Sequence, residues 1–253
     1  MQLFYTSNPN SNYLDKEEFY HCIKVLRNKK NKKINLTDGK GNLYESKILN
    51  ISKQKCEIEL PKKIKSEKQK IISHIVIAPT KSFSRIEWAV EKLTEIGINK
   101  ISFIYTNNSE RRELKVERLQ KKSISAMKQS KSVFKPVIEN IISLNNLLEK
   151  YEKYENKFVA DIKSKKTLNK IKTEGNSIFL IGPEGDFTTE EMKKISINGF
   201  TKITLGNKVL RTETAAIMAG YLIKNLWFNK NTKNVFFNYK MWLAWVSNPG
   251  PSP

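Results

Sequence analysis

The sequence predicts an α/β protein in which helices cover both faces of a parallel sheet, preceded by a small β-rich barrel. Three observations carry this prediction. After residue 70, apolar strand-like runs alternate with amphipathic helical stretches five times, the pattern of a parallel sheet with crossover helices. Before residue 60 the apolar runs are short and broken by tight-turn residues, as in a small barrel. Between them, residues 61–70 (PKKIKSEKQK) are charged and nearly free of core residues, and read as a linker. The expected domains are therefore 1–70, barrel with linker, and 71–230, the sheet, with 231–253 as a tail.

The elements follow in order. Residues 2–5 form a short strand. Asp15 and Glu18 have capping-box spacing and open a short helix with Tyr20, Ile23 and Leu26 on one face. Residues 33–38 alternate as a half-buried strand does, and the turn chemistry of Asp38, Gly39 and Gly41 leads to strands at 43–49 and 56–60. HIVIA (74–78) has the continuous apolar character of a strand buried on both sides. Ser84 and Glu87 form a second capping box, opening a helix with Ile86, Ala89, Val90, Leu93 and Ile96 inward and Gly97 ending it. A strand at 101–105, a helix at 113–130 with an inward stripe from Val116 to Ser130, a strand at 157–160 and a short helix at 164–171 come next. SIFLI (177–181) is a strand running into Gly182-Pro-Glu-Gly185. Thr188 and Glu191 cap a helix to about 197, residues 202–205 are a strand, and residues 213–228 are a long apolar helix.

Composition bounds the function. The 253 residues carry 46 Lys and Arg against 25 Asp and Glu, a net charge of +21 that favours a polyanionic partner, foremost nucleic acid. Lys- and Asn-rich runs such as NKKNKK also suit a solvated surface. Two cysteines, Cys22 and Cys56, cannot make a disulfide scaffold, and no HExxH or CxxC suggests a metal. The first residues lack a signal-peptide pattern, and no apolar run has the ~20 residues needed to span a bilayer. A soluble, cytoplasmic protein is expected.

Two loops carry chemistry. IGPEGDF (181–187) follows a strand, where ligands bind in open α/β sheets. It is neither a phosphate-binding P-loop nor a GxGxxG fingerprint. The second, LGNKVLRTETAA (205–216), turns at Gly206 and enters the last helix. Thr212 suits an N-cap and Glu213 the first helical turn, but Arg211 is a cation at the positive end of a helix, unfavourable without an anionic partner. His74 reads as a satisfied core histidine.

The paired loops resemble those of the knotted SPOUT methyltransferases, most closely the 16S rRNA (uridine-N3) methyltransferases of the RsmE type. His21 with Val25, Leu26 and Arg27, then Lys81, Arg85, Glu87 and the stretch Glu91 to Gly97, then Ala126, Gln129, Ser130 and Pro136 resemble further segments of that family in order. Asp186 stands where the family has glycine. The resemblance implies a PUA-like barrel that holds RNA and a SPOUT domain with a trefoil knot. It implies S-adenosylmethionine as cofactor, bound by Leu180, Ile181, Gly182, Pro183, Glu184, Gly185, Leu205, Gly206, Val209, Leu210, Thr214 and Ala215. It also implies a homodimer acting on 16S rRNA, within the assembled small ribosomal subunit. Uracil N3 is protonated and weakly nucleophilic, so a cation near its carbonyl oxygens would help. Arg211 is the first candidate, with Glu213 or Glu184 as base or orienting group. His21, Arg27, Lys81, Arg85, Arg111 and Arg112 are candidate RNA contacts. The competing readings are a non-catalytic RNA-binding protein, which charge alone would explain, and a SPOUT enzyme with another RNA target.

Overall fold

A computed structural model describes residues 2–168, 171 and 175–231, with side chains described to residue 225. The chain builds two sheets. The first joins β1 (Leu3–Tyr5), β2 (Lys33–Thr37), β3 (Asn42–Ile51) and β4 (Cys56–Ile58) in that order, with β5 (Lys62–Ser66) also pairing with β3. Phe4, Leu36, Ile48 and Ile58 fill its interior with both cysteines. Between β2 and β3 the carboxylate of Asp38 accepts from the Lys40 amide (2.8 Å), the Asn42 amide group (2.6 Å) and the Tyr44 hydroxyl (3.2 Å), which fixes the turn.

Two expectations change here. The stretch read as linker contains β5, an edge strand antiparallel to β3. Its side chains are all exposed, so backbone pairing holds it without any apolar signal in the sequence. The early helix is α1 (Lys16–Phe19) continued by a π-helical turn over Tyr20–Val25. No capping box forms: Asp15 instead accepts from the Ser7 hydroxyl (3.3 Å), and Glu18 pairs with Lys128. Phe19 and Cys22 face inward while Tyr20 is exposed, because the wider helical turn rotates the apolar face.

The second sheet has six parallel strands in the order β11-β9-β10-β6-β7-β8: β6 (Ser73–Ile77), β7 (Lys100–Tyr105), β8 (Val137–Ser143), β9 (Asn156–Ala160), β10 (Ser177–Ile181) and β11 (Thr201–Ile203). Strands β6 and β10 are buried along their whole length, as their apolar runs at 75–77 and 178–181 require. One face packs on α2 (Phe83–Ile96) and α6 (Thr212–Asn231), through Leu93, Phe103, Phe179 and Ala216. The other face carries Ile104, Leu147, Leu180 and Ile195, with α4 (Leu144–Lys150) and α5 (Thr189–Ile197).

Gly97 ends α2 at φ 83°, in the left-handed region. Helix α2 starts one residue before the expected capping box. Ser84 lies inside the helix, and Glu87 pairs with Arg118 of α3 (Val116–Gln129) at 2.5 and 2.7 Å. The capping box of α5 forms: Thr188 accepts from the Glu191 amide (3.2 Å) and Glu191 from the Thr188 amide (2.9 Å). Strand β8 and helix α4 had no counterpart in the sequence reading. Residues 164–167 are irregular where a short helix was expected. Residues 169 and 170 of that helix, and the tail from 232, lie outside the described residues.

The two sheets are joined through the segment after α3. Gly41 donates to the Val133 carbonyl (2.9 Å), Lys135 to Gly39 (3.0 Å) and the Thr37 hydroxyl to Val133 (3.2 Å). Gly41 sits at φ 98°, and a Cβ there would lie 2.5 Å from the Phe134 ring, so only glycine allows this approach. Among the described residues no helix is long and apolar enough to cross a membrane.

Candidate active site

At the carboxyl ends of β9, β10 and β11 three loops enclose a cavity of about 460 Å³. Its walls are Ala160, Asp161 and Ile162 after β9, Ile181, Gly182, Pro183, Glu184 and Asp186 after β10, and Leu205, Gly206, Lys208, Val209, Leu210, Arg211, Thr212 and Ala215 leading into α6. The two loops singled out from the sequence thus meet. They are tied directly: the Thr212 hydroxyl donates to the Gly182 carbonyl (3.1 Å). Thr212 therefore holds the neighbouring loop rather than capping its own helix.

Each loop is braced from outside. The amide of Asn108 donates to the carbonyls of Gly185 and Asp186, both at 2.9 Å. Asp186 adopts φ 59°, a left-handed conformation costly for a residue with a side chain, and its carboxylate accepts from the Phe187 amide (2.7 Å). In the other loop Thr204 accepts from the Gly206 amide (3.2 Å) and donates to the Gly206 carbonyl (2.8 Å), fixing Gly206 at φ 139°. A Cβ on Gly206 would meet nothing within 4 Å, so that residue's place is set by backbone conformation and not by crowding.

The charges around the cavity are unevenly paired. Arg85, in the first turn of α2, reaches Glu184 (Nη1 to Oε1, 2.9 Å) and Glu213 (Nε to Oε1, 3.7 Å). Glu213 is buried, and its Oε2 has no hydrogen-bond partner. Asp161 pairs with Lys202 (3.6 Å) and accepts from the Lys163 amide (2.8 Å). Arg211 is exposed on the wall, and no ion pair engages its guanidinium among the described residues.

Of the cofactor-binding candidates, Ile181, Gly182, Pro183, Glu184, Leu205, Gly206, Val209, Leu210 and Ala215 line the cavity. Leu180, Gly185 and Thr214 do not. Leu180 is fully buried in the core facing α4 and α5. Gly185 packs against Asn108, where an added Cβ would lie at 3.2 Å. Helical geometry puts Thr212 and Ala215, three residues apart, on the wall and turns Thr214 away. The sequence reading missed the third wall. A buried strand ending at Ala160 and followed by Asp161 was its one signal, and the pairing of β9 beside β10 that gives it meaning is a long-range fact.

The other candidates are scattered. Arg111 donates to the carbonyls of Thr80 (3.3 Å) and Lys81 (2.5 Å) and stacks over Phe83, which makes it a local brace. Arg112 lies over the Tyr105 ring. Lys81 is exposed and 3.6 Å from Glu110. In the barrel, His21 packs on Phe4 with a buried, unpartnered Nδ1, and Arg27 has φ 52°.

A barrel joined to a parallel sheet with a loop-walled cavity at its strand ends is the architecture, and the match to two family models makes the class an RNA methyltransferase. The family model for the RNA methyltransferase domain matches residues 66–224 and that for the RNA methyltransferase PUA domain matches residues 14–60. The chain belongs to the family of ribosomal RNA small subunit methyltransferase E. The protein of that name from Rickettsia conorii is 30% identical over 211 residues, covering 81% of this chain and 86% of the relative. That from Mesomycoplasma hyopneumoniae is 34% identical over 167 residues, covering 63% and 72%. Among solved structures, a probable rRNA-methyltransferase from Porphyromonas gingivalis superposes with a TM-score of 0.84 at 33% identity, covering 89% of this chain and 98% of its own. The ribosomal RNA small subunit methyltransferase E of Neisseria gonorrhoeae bound to S-adenosyl methionine gives 0.81 at 28% identity, covering 90% and 98%.

Proposed function

We propose that this protein transfers a methyl group from S-adenosylmethionine to N3 of one uridine in 16S rRNA, acting as a cytoplasmic homodimer on the small ribosomal subunit. Residues 1–70 hold RNA, and residues 71–230 form the methyltransferase domain, threaded as a trefoil knot. The observation that carries the reading is the cavity at the ends of β9, β10 and β11. Its residues fit the cofactor. Ile181, Leu205, Val209, Leu210 and Ala215 offer apolar wall to a purine, while Asp161, Glu184 and Asp186 offer carboxylates to hydroxyl and ammonium groups. The gonococcal relative bound to S-adenosyl methionine supports the same assignment.

The bound cofactor supplies an electrophilic methyl group on a sulfonium. The chain's own residues supply alignment and charge. Arg211, whose guanidinium is engaged by no carboxylate among the described residues, stabilises the negative charge that develops on the uracil when N3 loses its proton. Glu184 lines the cavity, and Arg85 engages only its Oε1, so Oε2 is the acceptor for that proton. Glu213 does not line the cavity and acts as a buried anchor. Transfer would need methyl and nucleophile in line, and reaching the base requires its unstacking, easiest in a single-stranded loop.

Calorimetry with S-adenosylmethionine tests the cofactor site. The intact protein binds it, and Gly182→Val, whose Cβ alone would approach the Phe187 ring to 3.0 Å, does not. No heat from the intact protein overturns the reading. Mass spectrometry of nucleosides from treated small subunits then decides the target: 3-methyluridine is expected, and a ribose-methylated or other base product overturns it.

A further inference from the structure

We infer that Arg85 is a positioning residue of the active site: it bridges Glu213 to Glu184 and so fixes the carboxylate that the cavity uses. This rests on the reading above and deepens it. Arg85 occupies the first turn of α2, where a cation opposes the helix dipole. Two carboxylates distant in sequence offset that cost, Glu184 at 2.9 Å and Glu213 at 3.7 Å. The three residues come from three elements: α2, the loop after β10, and the start of α6. Only Glu184 of the three lines the cavity, so Arg85 acts through it.

The parts have distinct mechanical roles. Glu213 is held in the core by burial, and its second oxygen has no donor, so Arg85 is the cation that compensates it. A planar fork anchored at that end presents Nη1 to the exposed Glu184, giving a flexible surface carboxylate one defined place. The same bridge keeps both carboxylates engaged, which leaves Arg211 on the opposite loop without an ion-pair partner among the described residues and available to substrate. Arg85 was a candidate phosphate contact on sequence grounds. With its guanidinium committed to two carboxylates, positioning is the role the geometry favours.

The experiment compares steady-state methyl transfer by wild type, Arg85→Lys, Glu184→Gln and the double variant on small ribosomal subunits, with thermal melting as the control for folding. Lysine keeps the charge that compensates Glu213 but cannot span both carboxylates. Arg85→Lys is expected to lower kcat by about 100-fold, the order associated with misplacing a reacting group by an ångström, while KM for RNA and its salt dependence stay unchanged. The losses in Arg85→Lys and Glu184→Gln are expected not to multiply in the double variant, since both break one unit. A raised KM for RNA with a salt slope smaller by about one, at unchanged kcat, would mean that Arg85 contacts phosphate and overturns the inference. Full multiplication of the two losses, or a lowered melting temperature with wild-type kcat, overturns it as well. Absence of methyl transfer by the wild-type protein is the separate failure of the function itself.

Discussion

The parallel sheet carries a polar cluster at each end, and the two are built on opposite principles. At the amino end, His74, Ser102, Glu139 and Tyr151 form a network closed in its charges, though the buried His74 Nδ1 has no hydrogen-bond partner. Ser102 donates to Glu139 (2.7 Å), so its oxygen accepts from Nε2–H of a neutral His74 (2.7 Å). Tyr151 also donates to Glu139, and Lys100 (3.0 Å) and Lys150 (3.1 Å) complete the set. Burial pushes the Glu139 carboxyl up, but the bonds from Tyr151, Ser102, Lys100 and Lys150 outweigh it and bring it down to about 2. Burial, helped by nearby Lys100, pushes His74 well below its usual range. At the carboxyl end, no ion pair engages Arg211 among the described residues, and Glu213, beside Arg85, keeps a buried oxygen without a hydrogen-bond partner. The lesson lies in where the charges go: the first cluster pairs its carboxylate with two lysines and stabilises, the second leaves Arg211 on the cavity wall, free to meet a ligand.

Experiments that separate stability from turnover break or sharpen this contrast. The largest effect is expected at the closed end. Glu139→Ala strands Lys100 and Lys150 beside a partly buried gap and costs about 3–5 kcal/mol of stability in urea unfolding, with kcat per folded molecule unchanged. Second comes pH. A carboxyl held at about 2 in the folded protein against 4.5 for an unperturbed glutamate contributes stability that is complete above pH 4.5. That contribution, about 3 kcal/mol, is lost as pH falls from 4.5 toward 2, and Glu139→Gln should flatten this part of the acid unfolding curve. Third, Arg211→Ala should lower kcat by about 100-fold, roughly 2.7 kcal/mol, and leave the melting temperature unchanged. A drop in stability there would place Arg211 with the closed network and erase the contrast. The smallest effect is expected for Thr212→Val, which removes the bond to the Gly182 carbonyl. About 1 kcal/mol of stability should be lost, together with a several-fold weaker calorimetric affinity for S-adenosylmethionine.

Much of the sheet was legible because its strands are continuous apolar runs and its turns carry glycine. SIFLI and HIVIA match β10 and β6 closely, and Thr188 with Glu191 formed the capping box their spacing implies. Where the local signal was weak, the reading failed. Strand β5 is all exposed, and β8 (VIENIIS) carries Glu139 and Asn140 in mid-strand, so neither shows strand periodicity. The two other capping-box spacings, at Asp15 and Ser84, formed no box, because Glu18 and Glu87 found cations on α3 instead. In the site, the two loops were visible as motifs, but their meeting through Thr212 and Gly182 is a contact across 30 residues. The Arg85 bridge spans 99 residues to Glu184, and no local spacing rule reports a pairing of that range.

The join between barrel and sheet has a consequence for target choice. With Gly41, Thr37 and Lys135 hydrogen-bonded across it and Lys128 paired with Glu18, the barrel is bolted to the catalytic half. The protein then works as a caliper of fixed opening. Under the proposed function, with the barrel holding RNA, the cavity meets whichever base lies one set span away, and the architecture of the small subunit held against that span selects the nucleotide.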